Sequence, residues 1–146
     1  MLSKKSKYAI NALVYLAKKK DTGPILIAEI AEKQNIPQKF LEAILLDLKR
    51  NGILASKRGK GGGYYMLKNP EDVNLADVMR LFDGPIAFIP CVTHNYYEAC
   101  EECKNESICG IRDVFLEVRK KSVEILKKAT LKEIITRENL LNPDFS

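Results

Sequence analysis

Four cysteines are the residues of this sequence whose spacing most clearly indicates chemistry. Cys91, Cys100, Cys103 and Cys109 have eight, two and five residues between them, and the chain has no other cysteine. Cysteines used only as small apolar residues would lie on the buried faces of helices. Their clustering therefore predicts metal binding or redox chemistry, because four thiolates can close a zinc site or hold an iron–sulfur cluster.

Three further interpretations of the cysteines remain open. Cys100 and Cys103 have the spacing of thiol oxidoreductases, although the βαβ pattern that accompanies such pairs is missing around them. A regulatory disulfide is compatible with the acidic neighbourhood, which does little to lower thiol pKa values. His94, the only histidine, follows Cys91 by three residues and is a fifth candidate ligand.

Charge is distributed unevenly along the 146 residues. Residues 1–70 carry 14 Lys and Arg against 5 Asp and Glu, a net charge of +9, whereas residues 71–146 carry 10 against 14, a net of −4. A basic half joined to an acidic half indicates that the first half binds a polyanion. A solvated basic surface is the alternative.

Composition limits the class of protein. Hydrophobic residues make up 46% of the chain, enough for a core without disulfides, and the length predicts one domain or a small domain with an appended helix. No apolar run reaches about 18 residues and the N-terminus lacks a signal-peptide pattern. We therefore expect a cytoplasmic protein without a membrane partner, where free thiols are more common than disulfides.

Helical periodicity in the basic half predicts a helix-turn-helix. A core helix over residues 4–20 is followed by a short helix over Ile27–Gln34, a tight turn at Asn35 and a third helix that starts at Pro37. The predicted apolar face of the third helix comprises Phe40, Leu41, Ile44, Leu45 and Leu48. Its predicted exposed residues are Gln38, Lys39, Glu42 and Ala43. Two helices joined by so short a turn fit the DNA-binding motif, and also many core hairpins.

A glycine-rich segment follows the third helix directly. Two short strands, residues 53–58 and 64–67, flank the run Gly-Lys-Gly-Gly-Gly at 59–63. An ordinary hairpin is one interpretation, and a phosphate-binding loop is a second, although the Ser or Thr and the strand-to-helix context that it requires are missing. The position directly after a helix-turn-helix favours the wing of a winged helix, whose tip can approach DNA closely because it has little side-chain bulk.

The acidic half begins with a helix capped by Asn74 and then loses its periodicity. Residues 84–108 show no sustained pattern, and a loop of this length in a compact domain is usually functional or disordered. From Gly110 a long helix is predicted, with an apolar seam that repeats every 3.5 residues or so, as in paired helices. The seam is Ile111, Phe115, Val118, Ser122, Ile125 and Ala129.

This seam predicts a homodimer, since DNA-binding proteins of this type commonly act as two-fold dimers. Packing of the helix on its own domain is the alternative. Thr130 is predicted to cap a last short helix through Ile135. The expected fold is mostly α with a small β-hairpin wing. It divides into a winged helix-turn-helix domain over 1–83, a cysteine-containing sensor loop over 84–109, a dimerisation helix and short terminal helix over 110–138, and a loose tail over 139–146.

Several short motifs match one known family. They are Lys7-Tyr8-Ala9, Ile30-Ala31-Glu32, Phe40-Leu41-Glu42, Leu48-Lys49-Arg50-Asn51-Gly52, Leu75-Ala76-Asp77-Val78 and, above all, Arg58-Gly59-Lys60-Gly61-Gly62-Gly63-Tyr64. Over about residues 1–135 the chain resembles the Rrf-two family of bacterial winged-helix transcription regulators. That family includes iron–sulfur cluster regulators, a nitric-oxide-sensing repressor and a cysteine-metabolism repressor.

The resemblance implies a homodimer with crossing C-terminal helices and, in many members, a [2Fe–2S] or [4Fe–4S] cluster on three spaced cysteines. Cys91 and Cys109 match the outer two, and either Cys100 or Cys103 matches the middle one. The fourth ligand varies among members, and the extra cysteine here leads to the hypothesis that all four thiolates hold one cluster. Zinc at the same four thiolates is the second choice.

We therefore expect a sequence-specific DNA-binding transcription regulator that acts as a repressor and is not an enzyme. Its DNA affinity is expected to depend on an iron–sulfur cluster or on the redox state of the cysteine loop. The residues expected at the DNA are Gln38, Lys39, Glu42, Ala43, Lys57, Arg58, Lys60 and Tyr64. The alternative is the same regulator with structural zinc or no metal, responding to a small molecule, thiol oxidation or a protein partner.

Overall fold

The computed structural model describes residues 1–145, which form six α-helices and one antiparallel hairpin. In chain order the elements are α1 (Lys4–Lys18), α2 (Ile27–Gln34), α3 (Gln38–Arg50), β1 (Leu54–Lys57), β2 (Gly63–Met66), α4 (Leu75–Asp83), α5 (Gly110–Lys128) and α6 (Leu131–Leu141), with short 3₁₀ turns between some of them. The predicted fold class is confirmed. Within the described residues, none of the helices combines the length and the apolar character needed to cross a membrane.

Helix α1 is the centre of the core. Its start is capped by Ser3, whose Oγ accepts a hydrogen bond from the Ser6 backbone N–H at 3.1 Å. Ala9, Ala12 and Leu13 are completely buried, because α1 packs against α2, α3, α4 and α6. This helix therefore connects the predicted DNA-binding motif to the second half of the chain.

The turn between α2 and α3 depends on one left-handed residue. Asn35 has a φ of 53°, which asparagine tolerates better than most residues, and the next N–H, that of Ile36, bonds back to the Ala31 carbonyl at 2.9 Å. Ile36 is buried beneath the turn. The short connection fixes the angle at which α3 leaves α2, as a helix-turn-helix requires.

The hairpin is attached to the core by a third stretch of extended chain. Strands β1 and β2 pair from Leu54 with Met66 to Lys57 with Gly63. Ile25 bridges to Tyr64 from outside the hairpin, through two backbone hydrogen bonds of 2.8 Å each. Gly63 has a φ of 142°, and a Cβ built there would lie 2.2 Å from the Ile25 carbonyl oxygen. The chain at Ile25 approaches the hairpin closely because position 63 has no side chain.

Helix α6 returns to the core and is longer than predicted. Thr130 caps it as expected, with its Oγ1 accepting from the Glu133 N–H at 3.1 Å, and Leu131 behind the cap is completely buried. The helix packs against α1 and ends at Leu141, because no helix-breaking residue occurs before the Asn142-Pro143 pair.

The expected loose tail over 139–146 therefore begins later than predicted, after the end of α6. Residues 139–141 are helical, and Pro143–Phe145 form a 3₁₀ turn. Ser146 lies outside the described residues. The sequence-based limit at Ile135 failed because the exposed, polar second half of α6 has no apolar periodicity, although nothing in it stops a helix.

Candidate nucleic-acid interface and cysteine cavity

The exposed face of α3 carries the four residues predicted for major-groove contacts. Gln38, Lys39, Glu42 and Ala43 all lie at the surface, in the first half of the helix. The Gln38 side-chain amide donates to the Glu42 carboxylate at 3.5 Å, which places one donor and one acceptor side by side. This half of α3 can therefore present hydrogen-bonding groups to base edges.

Phe40 was assigned to the buried face of α3, and that assignment is wrong. Its side chain is 65% exposed, whereas Leu41, Ile44, Leu45 and Leu48 are buried as predicted. At about 100° per residue, Phe40 lies at the edge of the buried stripe and not at its centre, since the neighbouring Leu41 is completely buried. Together with Tyr8 and Ala43 it lines an open groove of about 640 Å³ between α1 and α3. An exposed aromatic ring here is a candidate contact to a thymine methyl group that sequence periodicity missed.

The hairpin tip has the composition and exposure of a wing. Lys57, Arg58 and Lys60 are exposed, and within the described residues none of the three forms an ion pair. Gly59 and Gly61 have φ values of 88° and 74° and open space around them, so the tip is narrow. A narrow tip with unpaired cations fits close approach to a phosphate backbone.

Tyr64, the last of the predicted DNA contacts, lies away from the tip. It is partly buried against the core and pairs with Ile25 through its backbone. The more exposed tyrosine of β2 is its neighbour Tyr65. Alternation along a strand explains the difference, since adjacent residues face opposite sides.

All four cysteines line a single cavity of about 360 Å³. Cys91 is buried in a 3₁₀ turn near the start of the loop, and Cys109 caps the N-terminus of α5, with its Sγ accepting from the Arg112 N–H at 3.4 Å. Cys100 is exposed, and its carbonyl accepts from the Cys103 N–H at 3.1 Å in a turn between them. The loop thus brings together thiols that are up to eighteen positions apart in sequence.

The thiols share a cavity without converging on one point. All four are free, and within residues 1–145 no group of three or more His, Cys, Asp or Glu side chains is arranged to hold a metal ion. The donor set itself fits a thiophilic metal or an iron–sulfur cluster. To bind such a group, the loop must change conformation so that the four sulfur atoms come closer together.

Arg112 contacts residues near both ends of the cysteine loop. Its Nε lies 3.3 Å from the Cys91 carbonyl oxygen and 3.8 Å from the Glu106 carboxylate. The carboxylate of Glu102 accepts a hydrogen bond from the Cys100 thiol at 2.9 Å, and this bond raises the pKa of that thiol.

His94, the fifth candidate ligand, does not join the cysteines. Its Nε2 lies 3.3 Å from Nη1 of Arg119 on α5, and it lines a different cavity. The sequence places His94 close to Cys91, but the chain turns away from the cysteine cavity between the two residues.

Helix α5 exposes part of the predicted seam. Ile111 and Ile125 are 69% and 63% exposed, and Val114, which the seam did not include, lies on the same face. Phe115 is partly buried against Phe88 of the loop, with ring centroids 5.8 Å apart. Val118 and Ser122 are partly buried.

Ala129, the last residue of the predicted seam, lies at a junction with α4. It follows the last residue of α5, and its carbonyl accepts from the Leu75 N–H at 3.0 Å. The remaining exposed apolar stripe on α5 consists of Ile111, Val114 and Ile125, with Val118 between them.

A helix-turn-helix followed by a basic, glycine-rich hairpin defines a winged-helix transcription regulator. The family profile of Rrf2, described as an iron-dependent transcriptional regulator, matches residues 2–137, and the chain belongs to this family. The HTH-type transcriptional regulator rrf2-like of Rhodobacter capsulatus is 40% identical over 142 residues, which cover 95% of each chain. IscR of Pectobacterium atrosepticum is 28% identical over 97% of this chain and 82% of its own.

Solved structures agree with this assignment. CymR, the global cysteine regulator of B. subtilis, superposes with a TM-score of 0.79 at 26% identity over 94% of this chain and 97% of its own. IscR of T. potens superposes with a TM-score of 0.76 at 25% identity over 97% and 90%. The chain is accordingly a transcription regulator of the Rrf2 family and not an enzyme.

Proposed function

We propose that the chain is a repressor that reads duplex DNA with the first half of α3 in the major groove and with the hairpin wing on the backbone or in the minor groove. The observation that carries this proposal is the exposed wing tip, where Lys57, Arg58 and Lys60 lack carboxylate partners within the described residues. Cations without internal partners gain most from phosphate, because binding releases condensed counterions.

Specificity in this proposal comes from α3. Gln38 suits adenine, Lys39 suits guanine and Glu42 accepts from the cytosine amino group. Ala43 has little bulk and so allows the helix to lie deep in the groove. Because Gln38 and Glu42 are already hydrogen-bonded to each other, little side-chain conformational freedom is lost when they contact a base pair.

Replacing Arg58 with alanine is expected to weaken binding to an operator selected from random duplexes. The loss is about 1–3 kcal/mol if the guanidinium reads a base and less if it contacts only phosphate, in which case the slope of log affinity against log salt falls by about 1. Fluorescence anisotropy at several salt concentrations measures both quantities.

The matched control for the wing is Lys127→Ala, which removes an exposed cation near the end of α5 that has no ion pair within the described residues. It should leave affinity and salt slope unchanged. Equal losses in the two variants would mean that Arg58 acts only through net charge, and the assignment of the wing to DNA would be wrong.

We also propose that the protein acts as a homodimer through the exposed stripe of α5. Ile111, Val114 and Ile125 lie on the face that α5 does not pack against its own chain. Two-fold pairing of such stripes would bury them and place two wings on one operator. Sedimentation of the full chain should give twice the monomer mass of 16.5 kDa; a monomer would exclude the pairing.

The cysteine loop is proposed to hold an iron–sulfur cluster that controls DNA affinity. Cys91, Cys109 and at least one of Cys100 and Cys103 are the ligands, because all four line one cavity. When bound, the cluster would make the protein sensitive to oxidants and to the availability of iron. Loss of the cluster or a change in it would alter the structure at Cys109, whose sulfur also caps the first turn of α5.

Protein purified without oxygen is expected to be coloured and to contain iron and acid-labile sulfide. Cys91→Ser and Cys109→Ser should each abolish the visible absorbance, because these two proposed ligands lie at opposite ends of the cysteine loop. The two single variants Cys100→Ser and Cys103→Ser test whether one or both of these thiols are needed as ligands. Colourless protein with zinc and no iron would replace the cluster with a structural metal.

A further inference from the structure

A second cavity, of about 520 Å³, lies where α4, the start of the cysteine loop and α5 meet. Among the described residues, its charged lining is entirely basic: Arg80 comes from the end of α4 and Arg119 from α5, with His94 from the loop, and it includes no Asp or Glu. The described lining also includes no cysteine and no residue of α3 or of the hairpin, so the cavity is separate from both sites already described.

Arg119 is the central residue of this cavity. Leu116 and Val123, three residues before it and four after it, are partly buried, so Arg119 lies on the face that α5 turns towards its own chain. Within the described residues it forms no ion pair, and its polar neighbour is another basic group, His94, at 3.3 Å. A partly buried guanidinium without a counter-charge is unfavourable unless an anion completes the site.

Arg80 is also available to a ligand. Its Nη1 forms an ion pair with the Asp77 carboxylate on the same helix at 3.7 Å, a separation too long for a hydrogen bond. Guanidinium groups bind carboxylates and phosphates through paired hydrogen bonds. Pro85, Ile86 and Tyr96 add apolar surface, and the volume falls in the range of small-molecule sites, about 300–1,000 Å³.

We propose that this cavity binds a small metabolite that carries a carboxylate or phosphate group, held by Arg119, Arg80 and His94. The bound anion would connect the end of α4 to α5 across the first part of the loop. The protein would thereby gain a second regulatory input at the segment that carries the cysteines. This inference does not depend on a cluster being bound.

The test titrates the full-length protein with inorganic phosphate and, separately, with succinate, at physiological salt, and follows binding by calorimetry. Saturable binding of at least one probe is expected, and the tighter probe identifies the preferred oxyanion. Arg119→Gln and Arg80→Gln should each weaken it by about tenfold or more, the loss expected for a charged hydrogen bond. Arg137→Gln, which removes an exposed arginine of α6, is the matched control and should bind normally.

Three results would overturn the proposal. The first is the absence of saturable binding for both probes, and the second is equal binding by the Arg119, Arg80 and Arg137 variants. The third is loss of binding in Lys60→Gln instead, which would place the anion on the wing. Thermal unfolding of each variant checks its fold. If Arg119→Gln does not fold, the half-buried Arg80 and the exposed His94 decide the outcome through Arg80→Gln and His94→Gln.

Discussion

Replacing Gly63 with alanine is expected to destabilise the protein by more than about 3 kcal/mol, because the new methyl group collides with backbone and not with a movable side chain. Its Cβ would lie 2.2 Å from the Ile25 carbonyl oxygen and 2.4 Å from the carbonyl carbon. The backbone bonds between Ile25 and Tyr64, each 2.8 Å long, would have to break to make room. Chemical denaturation followed by circular dichroism measures the loss.

Gly61 provides the matched control for this prediction. Its φ of 74° makes alanine unfavourable there too, by roughly 1–2 kcal/mol, but nothing lies within 4 Å of the new Cβ. The difference between the two variants isolates the contact with Ile25. Equal destabilisation by the two changes would mean that the hairpin can move away from Ile25 without penalty, and the wing would then be less firmly placed than the structure indicates.

Replacing Leu131 with alanine is expected to lower the free energy of unfolding by about 2–5 kcal/mol, the range for large-to-small changes at buried sites. Leu131 is completely buried at the start of α6, in the core cluster around α1. Its backbone N–H also donates to the Val73 carbonyl at 2.9 Å, so the residue cannot easily shift to fill the space left behind. The expected loss is large because few neighbours can collapse into the cavity.

Leu140→Ala on the same helix is the control for Leu131→Ala. Leu140 is 77% exposed, so its truncation should change stability by less than about 0.5 kcal/mol. If the two leucine variants unfolded alike, α6 would be a surface attachment and not part of the core. The DNA affinity of Leu131→Ala below its unfolding transition should remain near that of the unchanged chain, since α6 contributes no residue to the proposed DNA contacts.

The DNA-binding half could be predicted from sequence because its signals are local. Three helices, a tight turn at Asn35 and a glycine-rich hairpin each depend on neighbouring residues, and their order alone indicates a winged helix. Phe40 was the exception, because it lies at the edge of the apolar face, where periodicity alone does not decide whether a side chain is covered. Alternation along β2 makes Tyr65 more exposed than Tyr64, a difference that depends on which face of the strand packs on the core.

The second half could be predicted only in part because its contacts join residues far apart in sequence. The spacing of the cysteines indicated a shared site, and they do line one cavity, but the position of His94 beside Arg119 could not be read from its nearness to Cys91. The return of α6 to the core joins Leu131 to Val73 through a backbone hydrogen bond, which no local pattern records. The basic cavity around Arg119 likewise exists only once α4 and α5 are packed together.

The bond between Val73 and Leu131 has a consequence for the integrity of the chain. Residues 94–102 form an unbroken exposed stretch, the kind of segment that proteases cut first. A chain nicked there would separate into two pieces on a denaturing gel, yet the smaller piece would still carry Leu131 inside the core. The two fragments of the nicked protein would therefore stay associated under native conditions. Cleavage in the exposed loop would not separate the winged helix from the rest of the chain.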